Sequence, residues 1–257
     1  MSKNNIPLIF GNPKDAAFFN PTDWISYAKE QGKFKNWQPV TSCILTFNYD
    51  WFNLLKKSLK LYTKYDRQIH VFKVGSKKIA AQHVSVGAAK AGIELEVLVA
   101  LGIKKFIAIG SAGSLQEHVT TGDICLPTKA IRDEGTSYHY MSPSKYSYPT
   151  LPLFKALKKI LQKKNFTYFA GPTWTTDAPY RETIRKILTY RKEGCLTVEM
   201  EAASLFAIAK HRKVSLVSIL NISDELTGTH WKPNFHHKKH QQSKEKLIEA
   251  AIETLSI

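Results

Sequence analysis

Four short segments of the sequence carry residue types that suit chemistry on a polar ligand. The first is the Gly-Ser-Ala-Gly sequence at 110–113, which follows an apolar run at 106–109. Backbone N–H groups of such a small-residue loop can converge on an anion or on a ligand oxygen. Ser111 adds a hydroxyl donor, and Gly110 lets a ligand approach closely. The alternative is a tight turn in which Gly110 and Gly113 adopt positive φ.

The second segment places two carboxylates around a methionine, at Glu199, Met200 and Glu201, immediately before an alanine-rich helical pattern. A carboxylate accepts two hydrogen bonds and therefore suits the vicinal 2′- and 3′-hydroxyls of ribose. Methionine offers a soft apolar surface for the face of a sugar. The alternative is that both glutamates only stabilise the positive end of the helix.

The third segment ends a strongly apolar strand pattern at 215–222 with Ser223 and Asp224. A partly buried aspartic acid in this position can hold its proton and act as a general acid toward a leaving purine nitrogen. Helix capping by Ser223 or Asp224 is the alternative.

The fourth segment contains Trp174, Thr175 and Asp177. The indole can stack on a base, and the polar neighbours can read the edge of that base. The alternative is a tryptophan of the hydrophobic core, with Asp177 in a turn before a helix.

The elements that must position these segments alternate along the chain. Such alternation favours one α/β domain over 1–257, with a central mixed β-sheet flanked by helices on both faces. Ligands of these sheets bind at the carboxyl ends of the strands. The patterns predict strands at 43–47, 68–74, 78–86, 105–109, 122–126, 168–171, 197–198 and 215–222, and helices at 51–61, 88–101, 151–164, 180–191, 200–211 and 244–255.

Composition restricts the class of protein. The three cysteines, at 43, 125 and 195, are far apart and odd in number, which argues against a disulfide framework and indicates a reducing cytoplasm. Residues 1–10 lack the pattern of a secretory signal, and the apolar runs are too short to cross a bilayer, so no membrane partner is expected. The net charge of +16 comes from lysines spread along the chain without a recognisable nucleic-acid module. We expect a lysine-rich solvated surface and no nucleic-acid partner.

The stretch 230–240 concentrates four of the nine histidines, His230, His236, His237 and His240, among lysines. His236 and His240 have helical spacing, but a third metal ligand is missing, so no metal is expected. A basic lid over an anionic substrate and a solvated loop are the two other interpretations.

The order and spacing of the four segments resemble the nucleoside phosphorylase and nucleosidase superfamily over about residues 84–226, most specifically in the Val-Glu-Met-Glu-Ala-Ala sequence at 198–203. The stretch 132–140 resembles a uridine-phosphorylase-like branch. The resemblance implies cleavage of the N-glycosidic bond of a nucleoside, by phosphorolysis to free base and (deoxy)ribose 1-phosphate. It further implies no cofactor, inorganic phosphate as co-substrate, and a homo-oligomer that is a dimer or a hexamer of dimers.

The same resemblance implies roles for individual residues. Asp224 would protonate the leaving base, and Glu201 would hold the ribose diol. The remaining sets are, for the sugar, Met200, Glu199 and His139; for the base, Trp174, Thr175 and Asp177; and for phosphate, Gly110, Ser111 and Arg132.

Two departures weaken the phosphate half of the resemblance. Ala108 stands where phosphorylases place an arginine three residues before Ser111, and Asp15 stands where a second arginine is expected after Gly11. Lys14, Lys90 and Arg132 are the candidate substitutes, although an ammonium lacks the bidentate fork of arginine. The nucleosidases instead activate water with a glutamate at the place of Ala16. Hydrolysis and non-catalytic nucleoside binding therefore stay open as alternatives, and retention of both Glu201 and Asp224 favours an enzyme.

Overall fold

The computed structural model describes residues 15–65, 68–228 and 230–257, which form one mixed β-sheet with helices packed on it. The strands are β1 (Ser42–Thr46), β2 (Lys60–Lys64), β3 (Ile69–Val74), β4 (Lys77–His83), β5 (Lys105–Ser114), β6 (Ile124–Asp133), β7 (Tyr146–Ser147), β8 (Tyr168–Thr176), β9 (Thr197–Glu199), β10 (Ser215–Glu225) and β11 (Lys232–Pro233). The helices are α1 (Pro21–Glu30), α2 (Tyr49–Ser58), α3 (Ala88–Ala100), α4 (Leu151–Lys163), α5 (Ile184–Lys192), α6 (Ala202–His211) and α7 (Lys238–Ser256).

Strand β5 organises the sheet because it pairs with three other strands. It runs parallel to β1 and β10, and its last two residues pair antiparallel with β9. Strands β10, β6, β8, β9 and β5 follow one another in hydrogen-bonded order, and the β10–β5 pairing closes them into a ring. The remaining sheet extends from β5 through β1, β4 and β3 to β2.

Helices cover both faces of this sheet, as the sequence predicts. All five residues of β1 are buried, because side chains alternate between two cores along the strand. Cys43 and Leu45 belong to the core that includes residues of α3 and α6, whereas Ile44 belongs to the core that includes residues of α2, α4 and α7. The predicted α/β class with a central mixed sheet is confirmed. Within the described residues, no helix is both long and apolar enough to cross a bilayer.

The Gly-Ser-Ala-Gly sequence is part of a strand, which corrects the prediction of a loop. Strand β5 continues to Ser114 because β10 pairs with it along its whole length, with the register shifted by a bulge between Ile222 and Asp224. Neither glycine of the sequence has a positive φ. Gly113 is instead required by close packing, since a Cβ there would meet the side chain of Leu226 at 2.4 Å and that of Asp224 at 3.1 Å.

Two predicted helices have different starts in the structure. The segment at 179–181 forms a single 3₁₀ turn, and α5 begins at Ile184, where the hydroxyl of Thr183 accepts a hydrogen bond from the backbone N–H of Lys186. Helix α7 begins at Lys238, six residues before the predicted start, and the imidazole of His237 caps it by accepting from the N–H of Lys239.

Candidate active site

A cavity of about 720 Å³ lies where β9, β10 and the second half of β5 meet. Three of the four chemically suggestive segments contribute to its wall, which agrees with a ligand site at strand ends. Further parts of the wall come from the segment at 47–51, from Val86, from residues 179–187 around the start of α5, and from residues 226–235 after β10. The residues of the wall include Gly110, Ser111, Glu182, Glu199, Met200, Glu201, Asp224, His230 and Trp231.

Both carboxylate oxygens of Glu199 accept hydrogen bonds from the protein itself. One oxygen accepts the backbone N–H groups of Glu201 at 2.8 Å and Ala202 at 2.7 Å, and the other accepts the hydroxyl of Thr175. The hydroxyl of Thr175 in turn accepts the N–H of Ala203 at 2.9 Å. These bonds satisfy N–H groups at the first turn of α6, so helix stabilisation is the role that the structure gives to Glu199. Thr175 belongs to this buried network and does not line the cavity.

Glu201 directs its carboxyl group into the cavity wall. Oε1 accepts the N–H of Gly87 at 2.6 Å, and Oε2 has no hydrogen bond to the described chain. The side chain is buried at 7% exposure. Burial, followed by the negative charge of Glu199, raises the pKa of the Glu201 carboxyl. Met200, partly exposed, lies beside it in the same wall.

Asp224 lies one residue before the end of β10, and both of its carboxylate oxygens accept hydrogen bonds. The hydroxyl of Ser223 donates to Oδ1 at 2.7 Å, and the indole N–H of Trp231 donates to Oδ2 at 2.7 Å. Glu182 lines the same cavity, and burial together with the charge of Asp224 raises its pKa to about 7.

Sequence reasoning missed Glu182 and Trp231. Glu182 falls inside a stretch that is helical by pattern, and nothing in that pattern marks it. Trp231 did carry a signal, because it is a large aromatic residue, with Phe235 four positions later, in a Lys- and His-rich stretch where a purely solvated loop does not require an indole.

Trp174 lies in the core, away from the cavity. It is fully buried with Leu115, Ile131, Cys195 and Val198, and its indole N–H donates to the carboxylate of Asp133 at 2.9 Å. Strand β8 reaches Thr176 with β6 and β9 on its two sides, and Tyr190 of α5 packs against the indole with ring centroids 4.9 Å apart. Trp174 is therefore not available to stack on a base. Asp177 is exposed and accepts the N–H of Gly135 at 2.8 Å, again outside the cavity.

Arg132 is also a structural residue in this fold, which corrects its assignment to phosphate. Its buried guanidinium donates to the hydroxyl of Ser137 at 2.8 Å and to the carbonyls of Ser142 at 2.8 Å and Met141 at 3.0 Å. It holds the segment after β6 together and does not line the cavity. His139 is exposed at the end of a 3₁₀ turn in that segment and does not line the cavity either.

Lys90, a second cation considered for phosphate, also lies away from the cavity wall. Lys90 is exposed and forms an ion pair with Glu94 at 3.0 Å. Arg132 makes the structural hydrogen bonds given above. Ala108 is fully buried in β5, and Lys14, with Gly11, lies outside the described residues. Within the described part of the wall there is no lysine or arginine, whereas Glu182, Glu199, Glu201 and Asp224 all contribute to it. Ser111 lines the cavity with a hydroxyl that makes no hydrogen bond to the described chain.

The His- and Lys-rich stretch divides into three parts. His230 lines the cavity, His237 caps α7, and His240 is buried with Nδ1 at 3.0 Å from the carbonyl of Ile222. Asn234 fixes the middle of the stretch, since its N–H donates to the carbonyl of Ser223 at 3.0 Å. Among the residues described, no group of three or more His, Cys, Asp or Glu side chains could hold a metal ion. Hydrogen bonds of Asn234, His237 and His240 therefore hold this stretch in place, and its first residues form part of the cavity wall.

A closed ring of strands with a carboxyl-rich cavity at the strand ends defines an α/β protein built to bind a small polar ligand. Residues 48–256 match the family model described as the phosphorylase superfamily. The chain belongs to the phosphorylase superfamily, and the resemblance inferred from the sequence motifs is confirmed.

Relatives in sequence and in structure carry related names. A guanosine phosphorylase of Halorubrum lacusprofundi is 30% identical over 146 residues, which are 56% of this chain and 59% of the relative. A DeoD-type purine nucleoside phosphorylase of an Exiguobacterium species is 28% identical over 181 residues, 69% of this chain and 75% of the relative. The chain thus spans less than two thirds of the first of these relatives and three quarters of the second.

Two solved structures share the fold. Uridine phosphorylase from Vibrio fischeri ES114 has a TM-score of 0.74 at 23% identity, covering 84% of this chain and 92% of that one. Purine nucleoside phosphorylase from Toxoplasma gondii, in complex with immucillin-H, has a TM-score of 0.77 at 18% identity, covering 84% and 90%. At these identities the likeness concerns the fold alone.

Proposed function

We propose that this chain cleaves the N-glycosidic bond of a nucleoside by phosphorolysis, releasing the free base and (deoxy)ribose 1-phosphate. One observation carries the proposal beyond family membership. A single cavity brings together Met200, the buried carboxyl of Glu201 and the carboxylate of Asp224 near the end of β10, although the last two are 23 positions apart in sequence.

The cavity suits a nucleoside in size and in chemistry. Its volume of about 720 Å³ lies within the range of about 300–1,000 Å³ typical of small-molecule sites. The unpaired oxygen of Glu201 can bond the sugar diol, and Met200 can pack on the sugar face. Carboxylates near the sugar also stabilise the oxocarbenium-like transition state that glycosidic cleavage passes through.

Phosphate is the proposed nucleophile, and no cofactor or metal is required. The hydroxyl of Ser111 would donate to a phosphate oxygen beside the sugar. The proposal that phosphate is the nucleophile is supported by the family and by the names of the relatives. The described part of the wall adds no support, because it contains no arginine or lysine. Hydrolysis and non-catalytic binding therefore serve as the contrasting outcomes of the test.

We further propose that residues 1–257 form one domain, that the protein assembles as a dimer or hexamer of dimers, and that it works in the cytoplasm in nucleoside salvage. The assembly is what the resemblance implies. The three cysteines, Cys43, Cys125 and Cys195, are all free and buried, in keeping with a reducing compartment.

The test is a panel of purine and pyrimidine nucleosides incubated with the pure protein, with and without phosphate, while free base is measured. Base release that requires phosphate supports phosphorolysis, and release without phosphate overturns it in favour of hydrolysis. Tight binding of a nucleoside without any release makes the chain a binding protein. Glu201→Gln should abolish most of the release, and Glu30→Gln, an exposed carboxylate at the end of α1, is the matched control.

A further inference from the structure

We propose that Trp231 is a positioning residue for Asp224, whose Oδ2 it fixes so that Oδ1 is the oxygen that gives a proton to a leaving purine. This inference rests on the proposed function and on the acid role expected of Asp224. It assigns a task to a residue outside the four segments that the sequence singles out. The two side chains are in direct contact, with the indole nitrogen 2.7 Å from Oδ2.

The backbone after β10 brings Trp231 to this position. Strand β11 pairs antiparallel with the end of β10, which places Pro233 opposite Asp224. The backbone N–H of Asn234 donates to the carbonyl of Ser223 at 3.0 Å. Trp231 directly precedes β11 and is 59% exposed, so its own packing contributes little to its placement. Strand register therefore returns the indole to a residue seven positions earlier in the chain.

The two donors around Asp224 treat its two oxygens differently. An indole N–H can only donate, so Oδ2 has to accept whatever the protonation state of the carboxyl group. The hydroxyl of Ser223 lies 2.7 Å from Oδ1 and 3.4 Å from the carbonyl of Ala112. Because a hydroxyl both donates and accepts, it can donate to an unprotonated Oδ1, or accept from a protonated Oδ1 while it donates to Ala112. Oδ1 can therefore gain and lose a proton without leaving a donor unpaired.

The oxygen that Trp231 binds also lies against the floor of the cavity. A Cβ on Gly113 would be 3.1 Å from Oδ2, so this oxygen packs on β5. The terminal torsion of an aspartate is broad and nearly two-fold, and without the indole the carboxyl group could turn and exchange its two oxygens. A proton donor contributes to catalysis only while it points at its acceptor. The bond from Trp231 thus selects one orientation of the acid.

The step that this orientation serves is balanced in atoms and electrons. The C1′–N bond breaks and its electron pair passes to the purine, while the proton on Oδ1 of Asp224 bonds to a ring nitrogen of that purine. A phosphate oxygen forms the new bond to C1′. The sugar phosphate then releases to solvent the proton that the phosphate carried, and Oδ1 takes up a proton from solvent. Trp231 keeps its N–H proton throughout.

The experiment is a double-mutant cycle of Trp231→Phe and Asp224→Asn, measured with phosphate on guanosine and on 7-methylguanosine. The methylated base carries a positive charge and leaves without protonation. Asp224→Asn should lower kcat on guanosine by about 10²–10⁴-fold, which is the usual contribution of a general acid. Trp231→Phe keeps an aromatic ring and removes only the N–H donor. It should lower kcat on guanosine by about 10- to 100-fold and kcat on 7-methylguanosine by less than about threefold.

Two features of the cycle separate positioning from a merely structural role. In the Asp224→Asn background, Trp231→Phe should lower kcat on guanosine by less than about threefold, because residues that act as a unit are not additive. Trp24→Phe is the matched control, since it makes the same exchange at an exposed tryptophan of α1, and it should leave both substrates unaffected.

The outcomes that overturn the proposal are distinct. A rise in KM on both substrates with kcat unchanged would make Trp231 a wall contact only. Equal losses of kcat on both substrates, or a loss that persists in the Asp224→Asn background, would show that the indole does not act through proton delivery by Asp224. Asp224→Asn that cleaves guanosine like wild type would remove the acid role on which the proposal rests. Wild type that cleaves no nucleoside overturns the proposed function itself, and cleavage confined to pyrimidine nucleosides overturns only this inference.

Discussion

Glu199 and Glu201 are two residues apart, yet the carboxylate of Glu199 accepts the backbone N–H of Glu201 while the carboxyl of Glu201 faces the cavity. The first acid fixes the backbone from which the second projects. Of the two interpretations left open by the sequence, the structure gives helix stabilisation to Glu199, and ligand binding stays the prediction for Glu201.

Glu201→Gln should lower kcat/KM for ribonucleosides by about 10- to 150-fold, because a hydrogen bond to a charged group contributes about 1.5–3 kcal/mol and 1.4 kcal/mol corresponds to tenfold. The loss should be smaller for 2′-deoxynucleosides, which lack one of the two hydroxyls. Steady-state kinetics on matched ribo- and deoxyribonucleosides measure both losses. Equal losses on the two sugars would exclude a role for Glu201 in holding the diol.

Glu201→Gln should also change how stability depends on pH. The folded-state pKa of Glu201 is raised above its ordinary value of 4.5, so the folded protein binds more protons than the unfolded chain in the interval between the two values. The contribution of Glu201 to the free energy of unfolding therefore decreases as the pH rises from about 4.5 to the raised folded-state pKa. Urea unfolding at pH 5 and at pH 8 should show a smaller decrease for Glu201→Gln than for wild type. A parallel decrease in both, as expected for Glu30→Gln, would contradict this.

Trp174→Phe should mainly lower stability, whereas Trp231→Phe should mainly change the kinetics of nucleoside cleavage, including a raised nucleoside KM. Trp174 is fully buried, so replacing its indole with the smaller phenyl ring leaves a cavity, while Asp133 keeps its ion pair with Lys186 at 2.6 Å. The expected cost is about 0.5–3 kcal/mol of stability, with little change in nucleoside KM. Trp231 is 59% exposed at the rim of the cavity, so Trp231→Phe should change stability by about 0.5 kcal/mol or less and raise the nucleoside KM. Thermal unfolding and steady-state kinetics on both variants test this. A nucleoside KM that responds to Trp174 alone would restore the base-stacking role that the sequence suggests.

Arg132→Met should destabilise the protein by about 2 kcal/mol or more, because the carbonyls of Met141 and Ser142 lose a buried charged donor. The KM for phosphate should stay near its wild-type value under conditions where the variant is folded. Ser111→Ala is the complementary variant, with little loss of stability and a raised phosphate KM. The assignment fails if Arg132→Met raises the phosphate KM and Ser111→Ala does not.

The fold could be predicted from the sequence because its signals are local. Apolar strands such as β1 and β10 and the periodic helix α3 are evident in single windows, and their alternation indicates the layered class. Closure of the ring could not be predicted. It depends on β5 continuing through Gly110 and Gly113, and a glycine-containing sequence that is a loop by local rules becomes a strand once β10 pairs along it.

The structure brings together in one cavity those predicted residues whose place chain direction alone fixes. Met200 and Glu201 directly follow β9, and Asp224 lies one residue before the end of β10, so the strands direct them to the cavity. Trp174 was different, because whether its indole faces the core or the ligand depends on neighbouring strands distant in sequence. Glu182 was not predictable for the same reason, since burial in the cavity wall and the charge of Asp224, 42 residues later, raise its pKa.

The closed ring has an evolutionary consequence. The two stretches at 179–187 and 226–235 form outer walls of the cavity, while the ring supplies the floor and the carboxyl groups that hold their places by backbone pairing. Insertions, deletions and substitutions in the parts of these two stretches that precede α5 and β11 can alter which molecule is admitted without disturbing strand registry. A diversified library confined to them, on an otherwise unchanged chain, is therefore the economical route to new substrate preferences on this scaffold.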